Sequence, residues 1–164
     1  MFLESKAVNS CPFCLKIQTL AQQLAPDCVW EFPHSHLFLG KWQFYHGYCV
    51  LVTKTHAREL FDLATEERAA LFEELTLAAK AIHLAVTPLK MNYELLGNQV
   101  PHLHWHLFPR FESDPEKLQP AWLRLARAEQ DPHALAQAMA GPETPEKTRA
   151  RIRNQLQQLG ANSS

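Results

Sequence analysis

The stretch Val100-Pro101-His102-Leu103-His104-Trp105-His106-Leu107-Phe108 places a histidine at every second position. In an extended strand successive side chains point to opposite faces, so the pattern predicts that His102, His104 and His106 share one face. The apolar residues between them would enter a core from the other face. Imidazole is a nucleophile, a general acid or base and a metal ligand near neutral pH. Three imidazoles in register therefore indicate a functional surface.

The segments before this stretch predict the rest of the fold. A short helix is expected over residues 16–24, and strands over residues 28–32, 36–39, 48–53 and 91–96. Residues 65–86 carry apolar side chains at a period of 3.6, which predicts one long helix with Thr65 as its N-cap and Thr87-Pro88 at its end. Because most of the strands adjoin one another without crossover helices, we expect an α+β fold with an antiparallel sheet.

The composition changes after Arg110, where proline-marked loops separate short helical segments. Asp131-Pro132 and Thr144-Pro145 each predict the start of a helix. We therefore divide the chain into a main domain, residues 1–112, and a helical C-terminal extension, residues 113–164, which is expected to pack on the domain or on a partner.

The overall composition excludes several classes of function. The chain has 164 residues, is 46% hydrophobic and carries a formal net charge of −1, so there is no electrostatic case for binding nucleic acid or a membrane surface. No apolar run approaches the length of a membrane span, and the first residues do not resemble a signal peptide. We expect a soluble cytoplasmic protein whose four cysteines are not in disulfides.

Cys11-Pro12-Phe13-Cys14 is a Cys-x-x-Cys motif near the start of the chain. Two thiolates at this spacing can bind one metal ion from a tight turn. A thioredoxin-like redox pair is an alternative, but that motif follows a strand, and nothing strand-like precedes it here. Chance occurrence stays open too, since a zinc half-site needs two further ligands.

The histidine stretch, continued by Pro109-Arg110, resembles the signature of the histidine triad (HIT) family, His-φ-His-φ-His-φ-φ with φ apolar. The early Cys-x-x-Cys, the turn Leu96-Gly97-Asn98, the long helix and Lys54-Thr55-His56 after a strand carry the same resemblance, over about two thirds of the chain. It implies a five-stranded antiparallel sheet with one long helix packed on it, and a homodimer.

Members of the HIT family hydrolyse or transfer nucleotidyl groups, so the resemblance implies an enzyme. The expected substrates are nucleoside phosphate anhydrides or phosphoramidates, with dinucleoside tetraphosphate as the first choice. By the family's pattern His104 is the nucleophile that forms a covalent nucleotidyl intermediate, and the carbonyl of His102 orients its ring. His106 would contact the phosphate, and Asn98 and Gln99 match the polar turn that holds phosphate oxygens in relatives.

The resemblance also implies a ligand set for zinc. In the zinc-containing branches of the superfamily two early cysteines bind the ion together with two histidines, and the matching residues here are Cys11, Cys14, His56 and His102. Two cysteines and two histidines form a closed tetrahedral site, so the zinc would be structural.

The sequence departs from the family where a nucleoside's sugar would bind. Relatives carry an acid or amide about eight residues before a further histidine, whereas this chain has Gly40-Lys41 and Tyr48 at those places. Either Gln43 or Lys41 holds the sugar beside Tyr48, or the substrate is not an ordinary nucleotide. This departure leaves a second interpretation open, a regulatory module that binds nucleotides with little turnover. A third makes the three histidines themselves a catalytic metal site.

Overall fold

The structure, a computed structural model, describes residues 10–20 and 26–163. The first helix, α1, spans Pro12–Leu20 and carries Cys14 in its first turn. The remainder of the helix predicted over residues 16–24 lies outside the described residues. The four cysteines are free thiols.

Five antiparallel strands form one sheet. They are β1 (Cys28–Glu31), β2 (Ser35–Leu39), β3 (Cys49–Thr53), β4 (Lys90–Glu94) and β5 (His104–Arg110), arranged in the order β1-β2-β3-β5-β4. The predicted α+β fold with a five-stranded antiparallel sheet is confirmed. Strand β5, which carries two of the three histidines, lies inside the sheet between β3 and β4.

The histidine strand is shorter than predicted. We expected all three histidines in one strand, but β5 begins at His104 and His102 lies in the preceding loop. Pro101 has no N–H to donate to a ladder. The N–H of His102 bonds instead to the carbonyl oxygen of Val100, 2.8 Å away, within the loop. Residues 100–103 therefore separate the turn at residues 97–99 from the strand. This loop, rather than the strand, positions the His102 ring.

The long helix, α2, spans Thr65–Val86 and covers one face of the sheet. Its N-cap is Ala64 rather than Thr65, which is already helical, so the prediction was wrong by one residue. The helix ends at Val86. Its C-cap, Thr87, has a left-handed backbone (φ 49°), and its N–H donates to the carbonyl oxygen of His83. The apolar side of α2 and the inward side chains of the sheet form the main core. Its members include Leu51, Leu75, Ala78, Ile82, Trp105 and Leu107.

The C-terminal extension covers both faces of the sheet. Helices α3 (Ala121–Ala128) and α4 (Pro132–Met139) pack on the histidine face, and α5 (Pro145–Gln158) packs against α2 and β1. The predicted helix starts are confirmed, since Asp131 and Thr144 cap α4 and α5 with their side chains. Within the described residues no helix is long and apolar enough to cross a membrane.

A buried ion pair joins the end of β5 to the extension. Both Arg110 and Asp114 are almost fully buried, and Nη2 of Arg110 lies 2.7 Å from Oδ2 of Asp114. The same guanidinium donates to the carbonyl oxygens of Glu116 and Gln119 at 2.6 and 2.7 Å. These bonds fix the loop that leads into α3.

Replacing Asp114 with Asn should lower the free energy of unfolding by about 3 kcal/mol, because the Arg110 guanidinium stays buried without its counter-charge. Urea denaturation measures this change. The matched control is Glu112→Gln, which breaks an ion pair to Lys117 from an acid that is 77% exposed, and we expect little change there. Equal effects of the two substitutions would contradict the anchoring role of the pair.

Candidate functional site

The histidine face of the sheet forms the floor of a cavity of about 620 Å³. His104 and His106 project into it from β5, and the loop at residues 96–100 forms one wall. Phe13 of α1 and Trp122 of α3 close two further sides. The cavity therefore draws its lining from the sheet, from the first helix and from the C-terminal extension.

His104 is held by its neighbour's main chain. Nδ1 of His104 lies 2.6 Å from the carbonyl oxygen of His102, and a carbonyl oxygen only accepts, so Nδ1 carries the proton. The other ring nitrogen, Nε2, is left with a free lone pair. Burial lowers the pKa of His104, although the bond to His102 opposes this shift. A neutral imidazole with a free Nε2 has the electronic form of a nucleophile.

His106, which is partly buried, lies among aromatic rings. Its centroid is 4.8 Å from that of His104 and 4.8 Å from the Trp122 ring, both approached edge-on. Its Nδ1 lies 2.7 Å from the hydroxyl of Tyr48. Burial, helped by His104, lowers the pKa of His106 to about 4, so the ring is neutral at physiological pH.

Beside the cavity four side chains meet with their ligand atoms within 4.8 Å of one another. They are Cys11, Cys14, His56 and His102. Nδ1 of His102 lies 3.4 Å from Cys11 Sγ and 3.5 Å from Cys14 Sγ. Nδ1 of His56 lies 3.2 Å from Nδ1 of His102 and 3.3 Å from Sγ of Cys14.

These separations match the edges of a tetrahedron around zinc. Zinc–sulfur and zinc–nitrogen bonds of roughly 2.3 and 2.0 Å give ligand separations of about 3.3–3.8 Å. Nε2 of His102 lies 2.9 Å from the carbonyl oxygen of Thr53, so it carries the proton and leaves Nδ1 free for an ion. The residues present therefore fit a structural zinc site.

The remaining predicted contact residues divide into two groups. Asn98 and Gln99 are exposed on the loop that walls the cavity, where their amides are available to a ligand. Gln43 is a correction, because its buried amide bonds to the main chain at Gly40, Gly47 and Tyr48 and braces the loop between β2 and β3. Tyr48 lines the cavity, but its hydroxyl is bonded to His106.

Three elements of the site were missed in the sequence. Phe13 lies between the two cysteines of the motif, and its ring centroid is 4.7 Å from that of His104. Lys16 and Asp27 form an ion pair at the edge of the cavity. Trp122 of the C-terminal extension lies against His106, with ring centroids 4.8 Å apart. Leu125, three residues later in the same helix, also lines the cavity. This helical spacing of two apolar residues is the one sequence signal that could have indicated the position of Trp122.

Comparison with known proteins identifies relatives of this chain. The HIT domain family model matches residues 21–113, more than half of the chain. "Protein hit" of Bacillus subtilis (strain 168) is 27% identical over 108 residues, which are 63% of this chain and 72% of that protein.

Solved structures share the fold. A protein from Sulfolobus tokodaii strain7, described as a hypothetical histidine triad nucleotide-binding protein, superposes with a TM-score of 0.64 at 19% identity, covering 89% of this chain and 93% of its own. A histidine triad family protein from Mycobacterium smegmatis, described as zinc-bound, superposes with a TM-score of 0.63 at 20% identity, covering 93% and 97%.

Cys11→Ser should reduce bound zinc from about one ion per chain to near zero and lower the thermal unfolding midpoint, because the binding free energy of a structural ion contributes to folding. Elemental analysis of the purified protein measures the zinc. The matched control is Cys28→Ser, a cysteine outside the cluster, which should retain the ion. Zinc that survives Cys11→Ser would instead favour a metal site made by the three histidines.

Proposed function

The chain belongs to the HIT domain family, and on that premise we propose that it is a hydrolase or nucleotidyl transferase acting on nucleoside phosphate anhydrides or phosphoramidates. Family membership supports a nucleotide-binding or hydrolase-type function. Within that range we propose a dinucleoside tetraphosphate as the substrate, cleaved through a covalent intermediate on His104.

One observation carries the proposal, the hydrogen bond from Nδ1 of His104 to the carbonyl oxygen of His102. It fixes the tautomer in which Nε2 has a lone pair, and the ring lines the cavity. In the proposed first step Nε2 forms a bond to phosphorus as the bond from phosphorus to the leaving group breaks. In the second step water attacks phosphorus and the bond to Nε2 breaks, which releases the nucleotide and restores the free histidine.

Neutral donors around the cavity suit the charge that develops on phosphate oxygens. Asn98 and Gln99 carry amide N–H groups on one wall, and His106 lies beside the proposed nucleophile. Lys41 adds a positive charge, with its Nζ 4.0 Å from the centroid of the Trp42 ring. A polyphosphate would meet both kinds of group.

The apolar part of the cavity suits a nucleobase. Phe38 and Trp42 line it beside Val50 and Leu125. Aromatic and aliphatic walls with a few polar groups are typical of small-molecule sites. When bound, zinc would stabilise the fold around His102 and leave the chemistry to the histidines, because four protein ligands close its coordination.

A second candidate is a regulatory module that binds nucleotides and turns them over slowly. The observation in its favour lies at Gly40, where an added Cβ would stand 2.2 Å from the Tyr48 ring, so the chain has neither an acid there nor space for one. Calorimetry with nucleoside monophosphates beside a turnover assay separates the two candidates. Tight binding with negligible turnover would favour the module.

His104→Ala should reduce kcat/KM for dinucleoside tetraphosphate by at least about 10³-fold, because it removes the atom that attacks phosphorus. Turnover is followed by chromatography of the released nucleotides, across a panel that includes a phosphoramidate and an aminoacyl adenylate. A substrate labelled at the phosphorus under attack should also leave label on the wild-type protein in alkaline denaturant, in which a bond from phosphorus to histidine survives.

The matched control is His83→Ala, which removes an exposed imidazole on the outer side of α2 and should leave turnover unchanged. Circular dichroism checks that both variants keep the fold. Turnover of the whole panel that persists unchanged in folded His104→Ala would refute the proposed mechanism.

A further inference from the structure

His106 is held on one side by a buried tyrosine. The Tyr48 hydroxyl lies 2.7 Å from Nδ1 of His106, and only 3% of Tyr48 is exposed. The Tyr48 ring stacks on Phe108, with centroids 4.3 Å apart and planes within 4° of parallel. The phenol therefore has little freedom to move away from the imidazole.

The direction of this hydrogen bond follows from counting protons. Burial raises the pKa of Tyr48 far above its ordinary value, so the phenol keeps its single proton. Among the described residues, Nδ1 of His106 is the hydrogen-bond partner of that hydroxyl. If Nδ1 were the donor, the buried phenol proton would have no acceptor in this part of the chain, which is unfavourable. The hydroxyl therefore donates and Nδ1 accepts.

The proton of His106 must then sit on its other nitrogen. Three ionisable groups lie around the ring, namely Tyr48, His104 on the same strand, and Glu94 on the neighbouring strand β4, whose Cα pairs with that of His106 on β5. The ring is neutral, since its pKa lies near 4, and a neutral imidazole carries one proton. With Nδ1 accepting, that proton is on Nε2.

We propose that Tyr48 is a positioning residue that fixes His106 as the Nε2–H tautomer, so that the imidazole offers a hydrogen-bond donor to a phosphate oxygen in the cavity. The phosphate part rests on the proposed function, whereas the tautomer does not. His104 and His106 are thereby held as opposite tautomers, one by a hydrogen-bond acceptor and the other by a hydrogen-bond donor. The carbonyl of His102 leaves Nε2 of His104 without a proton, and the Tyr48 hydroxyl leaves Nε2 of His106 with one.

Glycine at position 40 belongs to the same arrangement. A Cβ there would stand 2.2 and 2.3 Å from Cε1 and Cδ1 of Tyr48, closer than real carbon atoms approach. The main chain holds the two residues together, because Gly40 N–H donates to the carbonyl oxygen of Tyr48 at 2.9 Å. Any side chain at position 40 would push the Tyr48 ring and its hydroxyl away from His106. Gly40 and Tyr48 therefore form a sterically matched pair.

Nitrogen-15 NMR of the histidine rings tests the tautomer directly, with His106 assigned from the signals lost in His106→Gln. In the wild-type protein we expect Nδ1 without a proton and shifted by accepting a hydrogen bond, and Nε2 with a proton. In Tyr48→Phe, which keeps the ring and its stack on Phe108, both nitrogens should move toward the averaged values of mixed tautomers.

The matched control is Tyr45→Phe, a second buried tyrosine of the same apolar cluster, whose hydroxyl donates to the carbonyl oxygen of Ala121. It should leave the His106 signals unchanged. A protonated Nδ1 in the wild-type protein, or unchanged His106 shifts in Tyr48→Phe, would overturn the proposal.

Gly40→Ala tests the steric pair with the hydroxyl still present. It should shift the His106 nitrogens as Tyr48→Phe does, and the double variant should shift them no further, because both changes act through one hydrogen bond. Additive shifts would overturn the pairing. Dispersed amide spectra show that each variant is folded.

Kinetics add the functional part. If the wild-type protein turns over the phosphate panel, Tyr48→Phe should lower kcat about 10-fold with little change in KM, since one donor to the developing charge is no longer fixed. Unchanged kcat would overturn the link from tautomer to phosphate. If the wild-type protein has no turnover, the proposed function fails and that link fails with it, while the NMR result still decides the role of Tyr48 toward His106.

Discussion

His102 connects the metal cluster, the sheet and the proposed nucleophile through three of its atoms. Nδ1 faces the two cysteines, Nε2 donates to the carbonyl oxygen of Thr53, and its own carbonyl oxygen accepts from Nδ1 of His104. The residue is completely buried, so none of these groups exchanges its partner for water. A displacement of this loop residue would alter the cluster and the His104 ring together. The contact of Phe13 with His104 depends on the same cluster, because Phe13 stands between Cys11 and Cys14.

The sheet separates stabilisation from chemistry. Its first face is covered by α2 and α5 and holds Leu51, Trp105 and Leu107 in an apolar core. The second face carries the histidines and is covered only in part, by α3 and α4, so that a cavity remains over His104. Burial in the lining of that cavity lowers the pKa of both His104 and His106. A neutral imidazole does not have to lose a proton before it attacks, and hydrogen bonds can hold it as a single tautomer. An apolar environment favours the chemistry of the two rings in this way.

The parts of the fold that depend on local patterns were predictable from the sequence. The period of α2, the β-forming run in β3 and the proline-marked starts of α4 and α5 were each identified within a few residues. The start of β5 was misplaced because alternation alone does not show that His102 leaves the ladder to meet residues far away in the chain. Gln43 was misassigned for a related reason, since nothing local reveals that its amide is fully engaged with the main chain. The histidine and cysteine spacings indicated the zinc ligands only after the family resemblance was considered.

For the C-terminal extension, the domain boundary expected from the sequence does not agree with the contacts that its residues make. The family match ends at residue 113, yet Trp122 meets the ring of His106 and Leu125 lines the cavity. The burial of His106 depends on this cover, and so does the lowered pKa that keeps its ring neutral, since desolvation is the main cause of that shift. The buried pair of Arg110 and Asp114 fixes the loop that delivers α3 to the site. The tautomer of His106 that Tyr48 sets from one side therefore also depends on α3, which the extension contributes on the other side.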